Sequence, residues 1–102
     1  MAMMEISVVP VGTASPSVSS YVAGALKIVK EEQGIEYRLT PMGTVVAGDL
    51  EKLLSLAARM HRSVLEAGAV RAVTTIKLDE RTDKPLTLDG KIEAVMRKLD
   101  GA

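Results

Sequence analysis

At 102 residues the chain has the length of one domain, enough to bury on the order of 60–70% of its unfolded surface. Its 13 Lys and Arg cancel 13 Asp and Glu with no basic run, which argues against a binder of nucleic-acid backbone. With no Cys there is no disulfide framework, no Cys-based zinc site and no thiol chemistry.

Hydrophobic residues make up 47%, yet Phe and Trp are absent and there are only 2 Tyr, so the core must be built from Val, Leu, Ile, Ala and Met. Residues Met3 to Val11 alternate with period 2. Ile6, Val8 and Pro10 point one way and Glu5, Ser7, Val9 and Val11 the other, which predicts a first strand. The start of the chain runs straight into this strand without a basic flank or long apolar stretch, so no signal peptide is expected. "GTASPS" breaks the strand, and Ser15 before Pro16 reads as the N-cap of a helix carrying Val18, Val22, Ala25 and Val29 inward. Gly34 is placed to stop it.

"IEYRLTPM" alternates again, with Ile35, Tyr37 and Leu39 against Glu36, Arg38 and Thr40, and "VVAGD" follows as the other arm of a hairpin. Asp49 caps a second helix whose inner stripe is expected to be Leu50, Leu54, Ala57, His61, Val64 and Leu65, ended by Gly68. "VRAVTTIKLDE" sets Ala72, Thr74, Ile76 and Leu78 against Arg71, Val73, Thr75, Lys77 and Asp79. After the charged loop "ERTDKP" comes a last helix with Leu88, Ile92, Val95 and Leu99 on its apolar side.

The order is an α+β, ferredoxin-like β-α-β-β-α-β sandwich with a four-stranded antiparallel sheet and an extra C-terminal helix, in one domain over residues 1–102. Two helices cover one sheet face. The other face, with Glu5, Ser7, Val9, Arg38, Thr40, Thr75, Lys77 and Asp79, has no obvious cover and is expected to support a homo-oligomer. No apolar run reaches the roughly 18 residues of a membrane helix, so the expectation is a soluble, cytoplasmic protein with no membrane partner.

Two corners rhyme: Pro10-Val11-Gly12-Thr13 and Pro41-Met42-Gly43-Thr44. Their glycines let backbone approach a ligand and their threonines supply hydroxyls. Ser15 and Ser17 follow the first corner, where a helix N-terminus would offer free N–H groups to an anion. Turn and cap chemistry accounts for the same residues, and on spacing alone it is the better reading. Thr75, Lys77 and Asp79 share one face of the fourth strand and can hold a polar group, or simply protect an edge. His61, the sole histidine, reads as a hydrogen-bonded boundary residue; a zinc site would need carboxylates alone beside it. No nucleophile or acid–base pair assembles, so no catalytic residues, metal or cofactor are expected. An RNA-stacking sheet is excluded because the strands carry only Tyr37.

The blocks "VVPVGTASPSVSSYVAGAL", "YRLTPMGTVVAGDL" and "MHRSVLEAGAVRAVTTIKLDERTDK" resemble the small single-domain thiamine-binding protein family over nearly the whole chain. The resemblance implies a ferredoxin-like sandwich assembled as dimers or tetramers, binding thiamine or its hydroxymethylpyrimidine part without catalysis. Carried onto this sequence, the ligand residues it implies are Gly12, Thr13, Ser15 and Ser17, then Met42, Gly43 and Thr44, then Thr75, Lys77 and Asp79. The other reading is an oligomeric regulatory or scaffold module with no thiamine ligand, using the open sheet face as its interface.

Overall fold

Seven elements follow in the expected order in a computed structural model that describes residues 1–101: β1 (Ala2–Val11), α1 (Ser19–Glu31), β2 (Glu36–Thr40), β3 (Gly43–Gly48), α2 (Leu50–Glu66), β4 (Arg71–Glu80) and α3 (Leu88–Gly101). The strands form one antiparallel sheet in the order β2-β3-β1-β4, the ferredoxin-like arrangement with α3 added. β1 pairs with β4 along its whole length, from Ala2↔Glu80 to Val11↔Arg71, but with β3 only from Ala2↔Gly48 to Ile6↔Thr44.

Alternation in β1 sends Ala2, Met4 and Ile6 into the core, and α1 and α2 close over them. Val29 and Ala25 come from α1, and Leu53, Leu56, Ala57 and Met60 from α2. The expected α2 stripe is therefore rotated: Leu53, Leu56 and Met60 are buried, while Leu54 and Leu65 are exposed. α2 carries apolar residues around a wide arc, and its packing against α1 and β1 selects which part turns inward. His61 lies at that boundary, its Nδ1 2.6 Å from the Thr74 hydroxyl.

Helix ends follow local chemistry. Gly68, at φ 112°, closes α2 in a Schellman arrangement: its N–H reaches the Leu65 carbonyl at 3.0 Å, and the Ala69 N–H reaches that of Val64 at 3.3 Å. Asp49 stands at the N-cap of α2 and its carbonyl accepts the Leu53 N–H, though its side chain makes no capping bond. α1 starts later than the Ser15-Pro16 pair predicts, with Val18 at its N-cap. The Ser15 hydroxyl is taken up locally, accepting the Ser17 N–H at 3.1 Å, so this segment turns instead of winding. Gly34 adopts φ 78° but lies beyond the extended C-cap Glu32, in the link to β2. β3 begins at Gly43, two residues before the valines that marked it in the sequence.

Arg59 of α2 donates to Glu32 at the end of α1 at 2.8 Å, and Lys52 donates to the Gln33 carbonyl at 2.8 Å. The Arg59 hydrogen bond holds the Glu32 carboxyl below its ordinary value of 4.5. A depressed folded value means the pair stabilises the fold fully above the ordinary glutamate range and fades as pH falls through the lowered value. Arg59→Gln should thus lower the melting temperature more at pH 7 than at pH 3. A deficit of the same size at both values would contradict this origin.

The second sheet face is partly covered, contrary to the sequence expectation. The first turns of α3 lie across it, held by Arg38 donating to Asp89 at 2.7 Å and by an ion pair between Lys91 and Asp79. The Thr87 hydroxyl caps this helix by accepting the Gly90 N–H at 3.0 Å. Only the start of α3 is buried, through Leu88; Ile92, Val95, Met96 and Leu99 stand exposed.

Candidate functional site

Because β3 stops at Gly43 while β1 continues to Val11, the far half of β1 has a neighbour on one side only. Pro10 sits in this stretch, where a residue without an N–H costs no ladder bond on the free side. The resulting notch is a cleft of about 200 Å³ on the helix-covered side of the sheet. Val18 and Val22 of the α1 end form one wall, β1 from Ile6 to Val9 another, and the β2–β3 turn the third.

That turn is tight. Thr40 pairs with Gly43 across Pro41 and Met42. The Thr40 hydroxyl donates to the Gly43 carbonyl at 2.8 Å and accepts the Met42 N–H at 3.3 Å, which fixes the corner from inside. Gly43 is required by proximity: a Cβ there would lie 2.9 Å from the Ile6 carbonyl oxygen. Met42 projects at the rim, 83% exposed, with its thioether free to fold over an occupant. Thr44 lines the wall at 4% exposure and is the polar residue buried among the core. The lining carries no ionisable side chain. It offers hydroxyl and backbone groups against alkyl and thioether walls, which suits a flat, largely apolar ring with a hydrogen-bonding edge.

Of the residues singled out in the sequence, the structure brings Met42, Gly43 and Thr44 together here. Gly12, Thr13, Ser15 and Ser17 occupy the loop from β1 to α1 outside the cleft lining, where the Thr13 hydroxyl donates to the Ser15 carbonyl at 2.6 Å. They precede the α1 N-terminus, so the anion site expected at Ser15 and Ser17 lacks the helix end it relied on. Thr75, Lys77 and Asp79 lie on the opposite sheet face; Asp79 is engaged by Lys91, and with Lys77 it borders a separate hollow of about 210 Å³ beside Met3, Glu5 and Val45. Sequence reasoning did not place Val18, Val22, Leu39, Thr40 and Met60 at a site, although all line the cleft. The legible signal for the notch was Pro10, a proline inside an otherwise regular strand.

Comparison with known proteins agrees with this architecture. A family model described as "Thiamine-binding protein" matches residues 4–96. A UPF0045 protein of Bacillus subtilis is 40% identical over 102 residues, covering 97% of this chain and 98% of that protein. A UPF0045 protein of Methanothermobacter thermautotrophicus is 40% identical over 100 residues, covering 97% and 100%. Among solved structures, a hypothetical protein of Methanocaldococcus jannaschii aligns with a TM-score of 0.86 at 35% identity, over 93% of this chain and 95% of that one. A candidate thiamine biosynthesis/salvage protein of Thermotoga maritima shares the fold, with a TM-score of 0.77 at 21% identity over 92% and 97%. With nearly the full length matched by both the family model and relatives of this identity, the chain belongs to the thiamine-binding protein family.

Proposed function

We propose that the chain is a non-catalytic binding protein for thiamine or its hydroxymethylpyrimidine precursor, serving as a carrier or in salvage, and that the ring enters the cleft beside the β2–β3 turn. The observation that carries this reading is the uncharged cleft itself, with the buried Thr44 in its wall and the Met42 thioether at its rim. At about 200 Å³ it is smaller than the roughly 300–1,000 Å³ of drug-sized sites, which suits one substituted ring more than a whole two-ring molecule. The pyrimidine half then sits inside, read by the Thr44 hydroxyl and by backbone groups near Gly43, and the remainder extends along the loop carrying Gly12, Thr13, Ser15 and Ser17. Thr75, Lys77 and Asp79 form a second polar surface on the other sheet face, where Lys91 of α3 engages Asp79. Hydroxyl, alkyl and thioether groups bind without transferring protons at neutral pH, in keeping with a carrier.

Calorimetric titration with thiamine, thiamine diphosphate and hydroxymethylpyrimidine tests this. Micromolar binding, about −8 kcal/mol, is expected for one of them. Thr44→Val keeps the shape and removes the hydroxyl, so it should weaken that binding about 3- to 10-fold, the worth of one neutral hydrogen bond. Unchanged affinity would take Thr44 out of the site.

We also propose that the chain acts in the cytoplasm and self-associates as a dimer or tetramer; among the described residues no helix is long and apolar enough to cross a membrane. The exposed Val9, Val11 and Val73 on the open sheet face favour self-association. They also keep in view an oligomeric regulatory or scaffold module without a thiamine ligand. Three flat titrations together with an oligomer by light scattering would select that second reading.

A further inference from the structure

We infer that the unpaired backbone of Val8 sets the specificity of the cleft: its N–H and C=O, side by side at the free edge of β1, select a ring that carries a hydrogen-bond donor next to an acceptor. This rests on the reading of the cleft as a ring-binding site, and it names the class of ring.

In an antiparallel strand both backbone groups of a residue point to one side, and the side alternates from each residue to the next. Two observations fix the phase of β1. Pro10 has no N–H to give, yet the ladder to β4 runs on past Pro10↔Ala72 to Val11↔Arg71, so the bonds to β4 come from Val9 and Val11. The Ile6 carbonyl oxygen faces the other way, toward β3, since it lies 2.9 Å from where a Cβ on Gly43 would stand. Ile6, Val8 and Pro10 thus turn their backbone groups toward the β3 side, and Ser7 and Val9 toward β4.

On the β3 side the ladder ends at Ile6↔Thr44. Continued by two steps it would set Met42 against Val8. Met42 stands instead in the β2–β3 turn, its N–H held by the Thr40 hydroxyl at 3.3 Å. Among the described residues no backbone bond from a turn or loop reaches Val8. Its N–H and C=O therefore face the notch, in a residue that is partly buried and lines the cleft.

A donor and an acceptor on one residue make half of a narrow antiparallel pair, and the missing half need not be peptide. An aromatic amine beside a ring nitrogen is the complement: the amine donates to the Val8 carbonyl, and the ring nitrogen accepts the Val8 N–H. A ring with the reverse order sets acceptor against acceptor and donor against donor, which a partly desolvated site tolerates badly. No ionisable side chain in the lining overrides that choice. A peptide strand fits less well. Pro10, the next residue facing that side, has no donor for it, and about 200 Å³ takes a single ring.

Calorimetry on the full chain should compare hydroxymethylpyrimidine, whose amine adjoins a ring nitrogen, with the counterpart bearing an oxo group in place of the amine. That exchange makes the ring nitrogen a donor and reverses the edge with little change of shape. The oxo ring is expected to bind about 30- to 100-fold more weakly. Equal affinity would overturn the pairing with Val8 while leaving the cleft a ring site. If neither ring binds, the reading of the cleft fails and this inference with it. Val8→Pro removes the N–H where no ladder bond is lost, whereas Val8→Ala trims the side chain and keeps the donor. With melting curves confirming that both variants fold, the proline variant should bind about 5- to 10-fold more weakly than the alanine one. Equal binding by the two would count against the Val8 donor. Amide exchange on the natural chain needs no variant: Val8 should exchange faster than Ser7 and Val9, and slow when the amino ring is added. A Val8 amide as protected as its neighbours before any ligand is added would overturn the inference.

Discussion

Leu56→Ala is expected to cost about 2–5 kcal/mol, a large part of the stability of a domain this size. Leu56 is fully buried, in one cluster with Met4, Ile6, Val46, Leu53 and Met60. No aromatic ring occupies this core, and the packing is done by aliphatic and methionine side chains that relax only partly into a void. Urea unfolding followed by circular dichroism should show the midpoint falling with an unchanged slope. Leu54→Ala, two residues away on the same helix but exposed, should cost well under half as much. Equal losses at the two positions would mean that α2 packs by the other half of its apolar arc.

For Gly43→Ala the expected loss is about 1–3 kcal/mol, the usual range for forcing a methyl into an occupied place. The obstacle is the Ile6 carbonyl oxygen, 2.9 Å from where the new Cβ would lie, and a backbone oxygen inside a strand cannot swing away. The β2–β3 turn must step back from β1 instead, widening the cleft, so ligand affinity should fall together with stability. Gly24→Ala is the control. That glycine lies within α1 with nothing within 4 Å of a built Cβ, and alanine there should stabilise by roughly 0.5–1 kcal/mol. If both substitutions shift the melting temperature in the same direction, close approach at Gly43 is not what the glycine provides.

The fold was readable because its signals are local. Period-2 alternation in β1 and β4 placed Ile6 and Val8 opposite Glu5 and Ser7, and the register bears this out, with Ile6 beside Ile76 and Ser7 beside Thr75. Glycines at positive φ, notably Gly68, marked a helix end as read. What escaped was set by packing between elements. Leu54, His61 and Leu65 form as good a stripe on paper as Leu53, Leu56 and Met60, and only the positions of α1 and β1 choose between them. Ser15-Pro16 had the form of a helix start, but the Ser15 hydroxyl was already committed to a turn.

The site was half legible for the same reason. The residues of the second corner are adjacent in sequence and meet at one wall of the cleft, whereas its other walls come from α1, α2 and β1. No local pattern joins Val18 to Met60 across that distance. The polar set on β4, which the resemblance groups with the two corners as ligand residues, stands across the sheet from the cleft, on the open face where the alternation of β4 puts it.

The placement of β1 between β3 and β4 also constrains the order in which the chain can be built. On the ribosome the pair of β1 with β3 becomes available once Gly48 has emerged, but Ala2 has no Glu80 to meet until about 30 more residues follow. At 5–20 residues per second that interval lasts about 2–6 s. Throughout it the outer edge of β1 is unpaired and its valines are open to other nascent chains. Joining Ala2 to Glu80 closes nearly the longest loop the chain contains, so this last pairing sets a high contact order for so small a protein. Yield in the cell should therefore respond more to translation rate and temperature during synthesis than the finished fold's stability would suggest.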